Sequence, residues 1–307
     1  MKRVCWCVVI GLLSVTFLTL SAHSAVFNRI YAFGDSLTDT GNMYHATYGI
    51  TPDAVHYYLG RYSNGPVWEE YLSHLAGDLP LRVLAYGGAQ TGNEAFPLGL
   101  IAQVQAFVQT EPLPSGALVT VWAGANDFFF GAGDFHRSVE NIMTAVRLLA
   151  DHGATRILVM NLPDLGATPA LNRDPEAARS GTAFSMLFND DLDRRIREFR
   201  ARHSWIELNL FDTFGVFREL QAQPEAFGFH NATDPCPSFG HGFSNGSGYV
   251  FWDDRHPTTE VHRLLAQKVF DIFYAKYFDQ PPSSSTTPTR SSISQPRYTT
   301  PSGEIDR

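Results

Sequence analysis

The sequence predicts an α/β protein with a parallel sheet covered by helices on both faces. Three observations lead there. Short apolar or β-branched runs alternate with helical patterns between about Phe27 and Asp279, and strands that alternate with helices run parallel because each crossover returns the chain to the same edge. Runs such as Leu118-Val119-Thr120-Val121-Trp122 are almost continuously apolar, as strands buried on both sides are. The polar residues with catalytic potential stand just after these runs, and an open parallel sheet binds ligands beyond that edge.

Residues 1–25 read as an export signal. Lys2 and Arg3 precede an apolar run from Val4 to Leu20, then the small-residue stretch Ser21-Ala22-His23-Ser24-Ala25. Cleavage is expected after Ala22 or one of the next few residues, and a secreted location, extracellular or periplasmic, follows. The rival is an uncleaved membrane anchor. Losing Lys2 and Arg3 leaves 21 basic against 31 acidic residues, a net charge of −10. That balance excludes a basic nucleic-acid surface and a purely electrostatic grip on anionic membranes. It leaves transient contact with a membrane or micelle surface open. Cys5 and Cys7 leave with the signal, so Cys236 stands alone and no intramolecular disulfide can form.

Residues 26–280 form the expected catalytic domain. Its strands are expected at Ile30–Phe33, Val83–Ala85, Leu118–Trp122, Ile157–Met160 and Ile206–Leu208. Helices are expected at Pro66–Leu75, Ile101–Val108, Ser138–Asp151, Glu176–Arg202 and Thr258–Tyr277. Pro66 suits a first helical position and Ser138 an N-cap. From Pro281 to Arg307, 17 of 27 residues are Ser, Thr or Pro. Such a segment buries too little apolar surface to offset its ordering entropy and reads as a disordered tail.

Three strings carry the chemistry: Gly34-Asp35-Ser36-Leu37, Gly124-Ala125-Asn126-Asp127 and Asp253-Asp254-Arg255-His256-Pro257. A serine hydroxyl becomes nucleophilic when an imidazole takes its proton. Ser36 fills that role, although a serine here also suits a helix N-cap. His256 is the general base. Asp253, three residues earlier, can lie beside the imidazole within one turn, fixing its tautomer and stabilising the imidazolium. Asp254 is a rival partner, but two residues away it points elsewhere. Pro257 restricts His256 to extended geometry, in a loop before the last helix. The Asn126 side-chain amide and the backbone N–H groups of Gly88 and Ser36 are the oxyanion donors. Simple turns at Asn126-Asp127 and Gly87-Gly88 are the plainer alternatives. Asp35 and Asp39 read as solvated turn residues.

Gly242-Phe243-Ser244-Asn245-Gly246 matches the G-x-S-x-G pattern, but it lacks the strand before and the helix after that a nucleophile elbow needs. It reads as a loop flanking the site. There is no phosphate-binding loop, no dinucleotide fingerprint in the required context and no zinc-type Cys/His spacing, so no cofactor or metal is expected.

These residues resemble the GDSL, or SGNH, hydrolase family of lipases and esterases. Gly34-Asp35-Ser36-Leu37 is similar to its first block, Gly88 to its second, Gly124-x-Asn126-Asp127 to its third and Asp253-x-x-His256 to its last. Arg61-Tyr62-Ser63-Asn64-Gly65-Pro66-Val67-Trp68, Asn161-Leu162-Pro163-Asp164-Leu165-Gly166 and Tyr249-Val250-Phe251-Trp252-Asp253 resemble its bacterial secreted lipase and lysophospholipase branch. The resemblance implies a three-layer α/β/α, flavodoxin-like fold with a five-stranded parallel sheet. It also implies acyl-enzyme chemistry without a metal, acting on a lipid or other small ester. Secreted relatives often pair cysteines before the last block, whereas Cys236 is single, so the Phe227–Gly248 loop is expected to lack that brace. Acyl transfer to an alcohol such as a sterol, deacetylation of carbohydrate, and a catalytically silent surface or binding protein are the alternatives.

Overall fold

The computed structural model describes residues 27–131, 133–237 and 246–274. The expected export signal, the Ser/Thr/Pro tail and Gly242–Asn245 lie outside the described residues. Five parallel strands form the central sheet: β1 (Arg29–Gly34), β2 (Leu81–Val83), β3 (Ala117–Trp122), β4 (Arg156–Met160) and β5 (Glu207–Phe211). Their order is β2-β1-β3-β4-β5. The chain leaves β1 to one side for β2 and returns to the other side for β3. The switch point between β1 and β3 is where an open sheet of this kind opens a ligand crevice.

Strand β3 is buried at all six positions because both of its faces are covered. One layer contains α3 (Leu100–Thr110), α5 (Phe135–Asp151) and α6 (Pro175–Arg202). It buries Val104, Val146, Phe188 and Leu192 against Phe33, Val119 and Val121. The opposite layer contains α2 (Trp68–Leu75), α7 (Thr213–Ala222) and α8 (Thr259–Val269). It buries Trp68, Phe217 and Leu265 against Ile30, Leu118 and Trp122. The alternation along each strand thus feeds two cores, giving the three-layer α/β/α fold. Phe188 is fully buried, and its truncation to Ala is expected to cost about 3–5 kcal/mol.

Several local expectations shift. The second strand runs Leu81–Val83, two residues before the expected Val83–Ala85, but Leu84 N–H and Tyr86 N–H still donate to the Ala32 and Gly34 carbonyls, so the run to Ala85 does follow β1. Strand β5 reaches Phe211 because it is an edge strand whose Glu207 and Asn209 are half-exposed, and polar residues there hide its length from an apolar count. Ser138 is not an N-cap. Helix α5 starts at Phe135, and Asp134 caps it by accepting the Arg137 N–H at 3.2 Å. Pro66 precedes α2 rather than opening it: Val67 is the N-cap, and its N–H donates to Glu70 Oε2 at 3.0 Å. The last helix gives way to a π-helical stretch at Phe270–Tyr274. Within the expected Phe227–Gly248 loop, β6 (Asn231–Pro235) pairs in parallel with β7 (Tyr249–Phe251). Buried Cys236 follows β6, its N–H donating to Phe251 O at 2.9 Å.

Candidate active site

Ser36 lies two residues beyond β1, in a turn closed by the Thr38 and Asp39 N–H groups on Asp35 O. It caps no helix. Its Oγ stands 2.8 Å from His256 Nε2. The other ring nitrogen, Nδ1, is 2.6 Å from Asp253 Oδ2. A carboxylate only accepts, so Nδ1 carries the proton and Nε2 is left to receive one from the serine. Asp253 Oδ1 accepts the N–H groups of Arg255 at 2.7 Å and His256 at 2.6 Å. This is the one-turn geometry that the three-residue spacing predicts. Asp254 is exposed and faces Arg255, leaving Asp253 as the imidazole's partner.

The turn holding this pair joins β7 to α8. Trp252 N–H donates to His256 O at 2.7 Å and Thr258 N–H to Val250 O at 2.9 Å. From the long connection between β1 and α2, Tyr57 O–H donates to Asp253 Oδ2 at 2.6 Å. Tyr62 lays its ring 5.1 Å from the His256 ring, and His56 O accepts Trp252 Nε1–H at 3.0 Å. The connection also carries α1 (Asn42–Ala46). Tyr57 and Tyr62 were not singled out by sequence reasoning as parts of the site. The signal available was the aromatic density of Tyr57, Tyr58 and Tyr62, which does not reveal a partner 196 positions away.

Asn126 lies in the short helix α4 (Ala125–Phe129), beyond β3, rather than in a simple turn. Its Nδ2 donates to Ala89 O at 2.9 Å, tying the connection after β3 to the one after β2. An amide nitrogen carries two protons, so this bond leaves one for another acceptor. Gly88 adopts φ +78°, with no atom nearer than 3.4 Å to the place a Cβ would occupy. Backbone conformation, rather than close approach, therefore requires glycine there. At Gly87 the requirement is steric: a Cβ would fall 2.2 Å from the Tyr62 ring. The Ser36 and Gly88 N–H groups take no partner among the described residues.

Asp35 and Asp39 are buried, not solvated. Asp39 Oδ1 accepts Gly41 and Asn42 N–H; Oδ2 accepts Met43 and Gly87 N–H, the last at 2.8 Å. One carboxylate therefore fixes the turn after Ser36 and the turn before Gly88. Asp127 is likewise buried. Its Oδ2 accepts Thr91 N–H at 3.0 Å, and its Oδ1 accepts the Thr91 and Ser138 hydroxyls. Ser138, expected as a cap, serves this brace instead.

Burial penalises the Asp253 carboxylate, but the His256 charge, its hydrogen bond and the Tyr57 hydroxyl outweigh that penalty and hold the carboxyl below its ordinary range. Burial likewise disfavours the imidazolium, yet Asp253 outweighs it and raises His256 above 6.5. Desolvation pushes Asp35 up to about 7. A base of raised affinity beside an ionised partner suits proton transfer near neutral pH.

Ser36, Asn126 and His256 line one small cavity of ≈ 40 Å³, whose apolar wall includes Leu37, Phe129, Leu165, Phe217 and Phe251. Among the described residues, no group of three or more His, Cys, Asp or Glu could hold a metal ion. The structure thus brings Ser36, Asp253, His256 and Asn126 together and sets Gly88 on the neighbouring connection.

The GDSL-like Lipase/Acylhydrolase family matches this chain over residues 30–269. A thermolabile hemolysin of Vibrio parahaemolyticus is 31% identical over 271 residues, covering 80% of this chain and 63% of its own length. A phosphatidylcholine-sterol acyltransferase of Aeromonas hydrophila is 27% identical over 87% of this chain and 96% of its own. An acetylesterase of Thermothelomyces thermophilus is 28% identical over 63% of this chain and 69% of its own.

Proposed function

Because the chain belongs to the GDSL lipase/acylhydrolase family, an ester-hydrolysing family, we propose that it is a secreted serine hydrolase of lipid acyl esters, of the lysophospholipase type. The Ser36–His256–Asp253 relay carries the reading. Ser36 Oγ attacks the ester carbonyl carbon while its proton passes to His256 Nε2. The Ser36 and Gly88 N–H groups and the Asn126 amide hold the oxyanion. The C–O bond to the leaving alcohol then breaks, and the alcohol takes the proton from His256. Water attacks the acyl-enzyme with His256 again as base, releasing the acid and restoring Ser36.

Two observations support a lipid. The cavity wall beside Ser36 is apolar. Among the described residues, six of the ten exposed large apolar side chains are Tyr48, Ile50, Val55, Leu59, Phe96 and Phe130, all on connections leaving the carboxyl ends of β1, β2 and β3. That edge is the one from which the site opens, and apolar side chains gathered there suit transient contact with a lipid surface. The export reading rests on residues 1–25.

The test compares the protein with its Ser36→Ala variant on esters from acetyl to palmitoyl and on lysophosphatidylcholine. Serine-dependent release of long acyl chains is expected, with a loss of about 10⁴-fold or more in the variant. Equal activity of the two proteins would remove Ser36 as nucleophile. Activity confined to acetyl esters would favour a short-acyl substrate, which the small cavity and the acetylesterase likeness support. A second reading, acyl transfer to a sterol, draws on the likeness to the Aeromonas acyltransferase. With cholesterol present, steryl ester as the main product would replace hydrolysis by transfer. A serine-directed phosphonate that fails to label folded protein would favour the silent binding protein.

A further inference from the structure

Among the described residues, Arg255 is the only lysine or arginine that lines the catalytic cavity. Its guanidinium Cζ stands 4.6 Å from the centroid of the Phe129 ring, a cation–π contact that holds the charge at the cavity mouth. The nearest carboxylate, Asp254 Oδ1, is 3.8 Å from Nε, and both side chains are exposed. That distance is too long for a hydrogen bond, and no guanidinium hydrogen bond to any described residue is made. The other two acids near the mouth are turned to internal partners: Asp164 Oδ1 accepts the Thr182 hydroxyl, and Asp35 Oδ1 accepts Leu37 N–H. An oriented guanidinium with an open donor fork fits a tetrahedral oxyanion, which it can grip with two parallel N–H···O bonds.

The position of His256 tells which part of a substrate this cation meets. Its Nε2 gives a proton to the leaving alcohol, so that alcohol lies on the His256 side of the ester. Arg255 immediately precedes His256 in the chain, with its own N–H bound to the same Asp253 that orients His256. We propose that Arg255 forms a headgroup subsite that binds the phosphodiester of a glycerophospholipid leaving group, leaving the apolar wall to the acyl chain. The proposal rests on the lysophospholipase reading above and adds the residue that recognises the phosphate headgroup. An uncharged acylglycerol presents nothing for the guanidinium to bind, whereas a lysophospholipid carries its phosphate within a few bonds of the scissile ester.

The test compares kcat/KM for lysophosphatidylcholine and for a monoacylglycerol of the same acyl chain, in the parent, Arg255→Gln and Arg255→Lys proteins. Labelling of Ser36 by a phosphonate checks that each variant keeps its site. The ratio of the two specificities is expected to fall about 5- to 10-fold in Arg255→Gln, as for one solvent-exposed ion pair with hydrogen bonds. The change is expected in KM, with Arg255→Lys between Gln and the parent. Glycerophosphocholine should compete with substrate in the parent more strongly than glycerol or inorganic phosphate at equal concentration. A ratio within twofold of the parent in Arg255→Gln would overturn the subsite alone. Release from neither long-chain ester by the parent, with short esters still cleaved, would overturn the lipid reading and the subsite with it.

Discussion

The two halves of the site are held in different ways. Ser36, Gly88 and Asn126 stand on connections that leave β1, β2 and β3, and buried acceptors bind those connections to one another. Asp39 joins the first to the second, Asp127 joins the third to the second, and Gln103 bonds both the N–H and the carbonyl of Gly34. Asp253 and His256 stand outside the sheet, in a turn between β7 and α8. That turn is clamped by the β1–α2 connection through Tyr57, Trp252–His56 and Ser63–Pro257. In the proposed mechanism, attack and oxyanion geometry are therefore set by the connections leaving the sheet, and the proton-transfer pair is docked against them. Substitutions in the first half should strike the transition state or the fold, and those in the second the pH dependence.

The largest effect that tests this contrast is at Asn126. Asn126→Ala is expected to lower kcat by about 10²–10³-fold, with phosphonate labelling of Ser36 retained. A loss under fivefold would remove Asn126 from the oxyanion site and weaken the claim that the sheet-borne half carries transition-state stabilisation. Next comes Asp39→Asn. An amide can accept with only one oxygen, so two buried N–H groups lose their acceptor, at about 1–3 kcal/mol each. Calorimetry should show a melting temperature lower by roughly 4–24 °C. An unaltered melting temperature would mean that the four bonds to Asp39 do not hold the turns.

Tyr57→Phe gives the smallest change and the sharpest contrast. Its hydroxyl donates to the Asp253 oxygen that also takes His256 Nδ1–H. Losing that donor leaves more negative charge facing the imidazolium, so the His256 pKa should rise further. In the proposed mechanism, kcat/KM of the parent needs neutral His256. It should fall as pH drops through a midpoint above 6.5, because Asp253 outweighs burial there. In Tyr57→Phe the midpoint should move upward by several tenths of a pH unit, with the high-pH plateau lowered about threefold and the melting temperature little altered. A downward shift would mean that Tyr57 acts on His256 by packing rather than through Asp253. Asp35, raised to about 7 by burial, titrates in the same window; repeating both profiles with Asp35→Asn separates the two transitions.

Much of this was legible along the chain because it is local. Asp253 and His256 are three residues apart, and one turn brings carboxylate and imidazole together whatever surrounds them. All five strands of the sheet were placed by apolar runs that overlap the observed ones, most closely β1, β3 and β4, where burial on both faces leaves a continuous signature. Elements set by half-exposed or short pairing escaped: the polar edge positions of β5, the β6–β7 pair, and the true start of α5, where Asp134 rather than Ser138 reaches the free N–H groups.

The sequence by itself pointed to Ser36 as the proposed nucleophile, and to His256 and Asp253 as its proposed base and carboxylate. Each follows from residue type and short spacing. Only the tertiary structure decided that Asp39 binds the Gly87 N–H from 48 positions away, that Tyr57 reaches Asp253 across 196, and that Arg255 lies over the Phe129 ring. The first partner follows from the connections that the strand order β2-β1-β3 brings to one edge, and the other two from the turn before α8 that docks against that edge. A hydrogen bond acts over about 3 Å of space, and distance along the chain does not enter it.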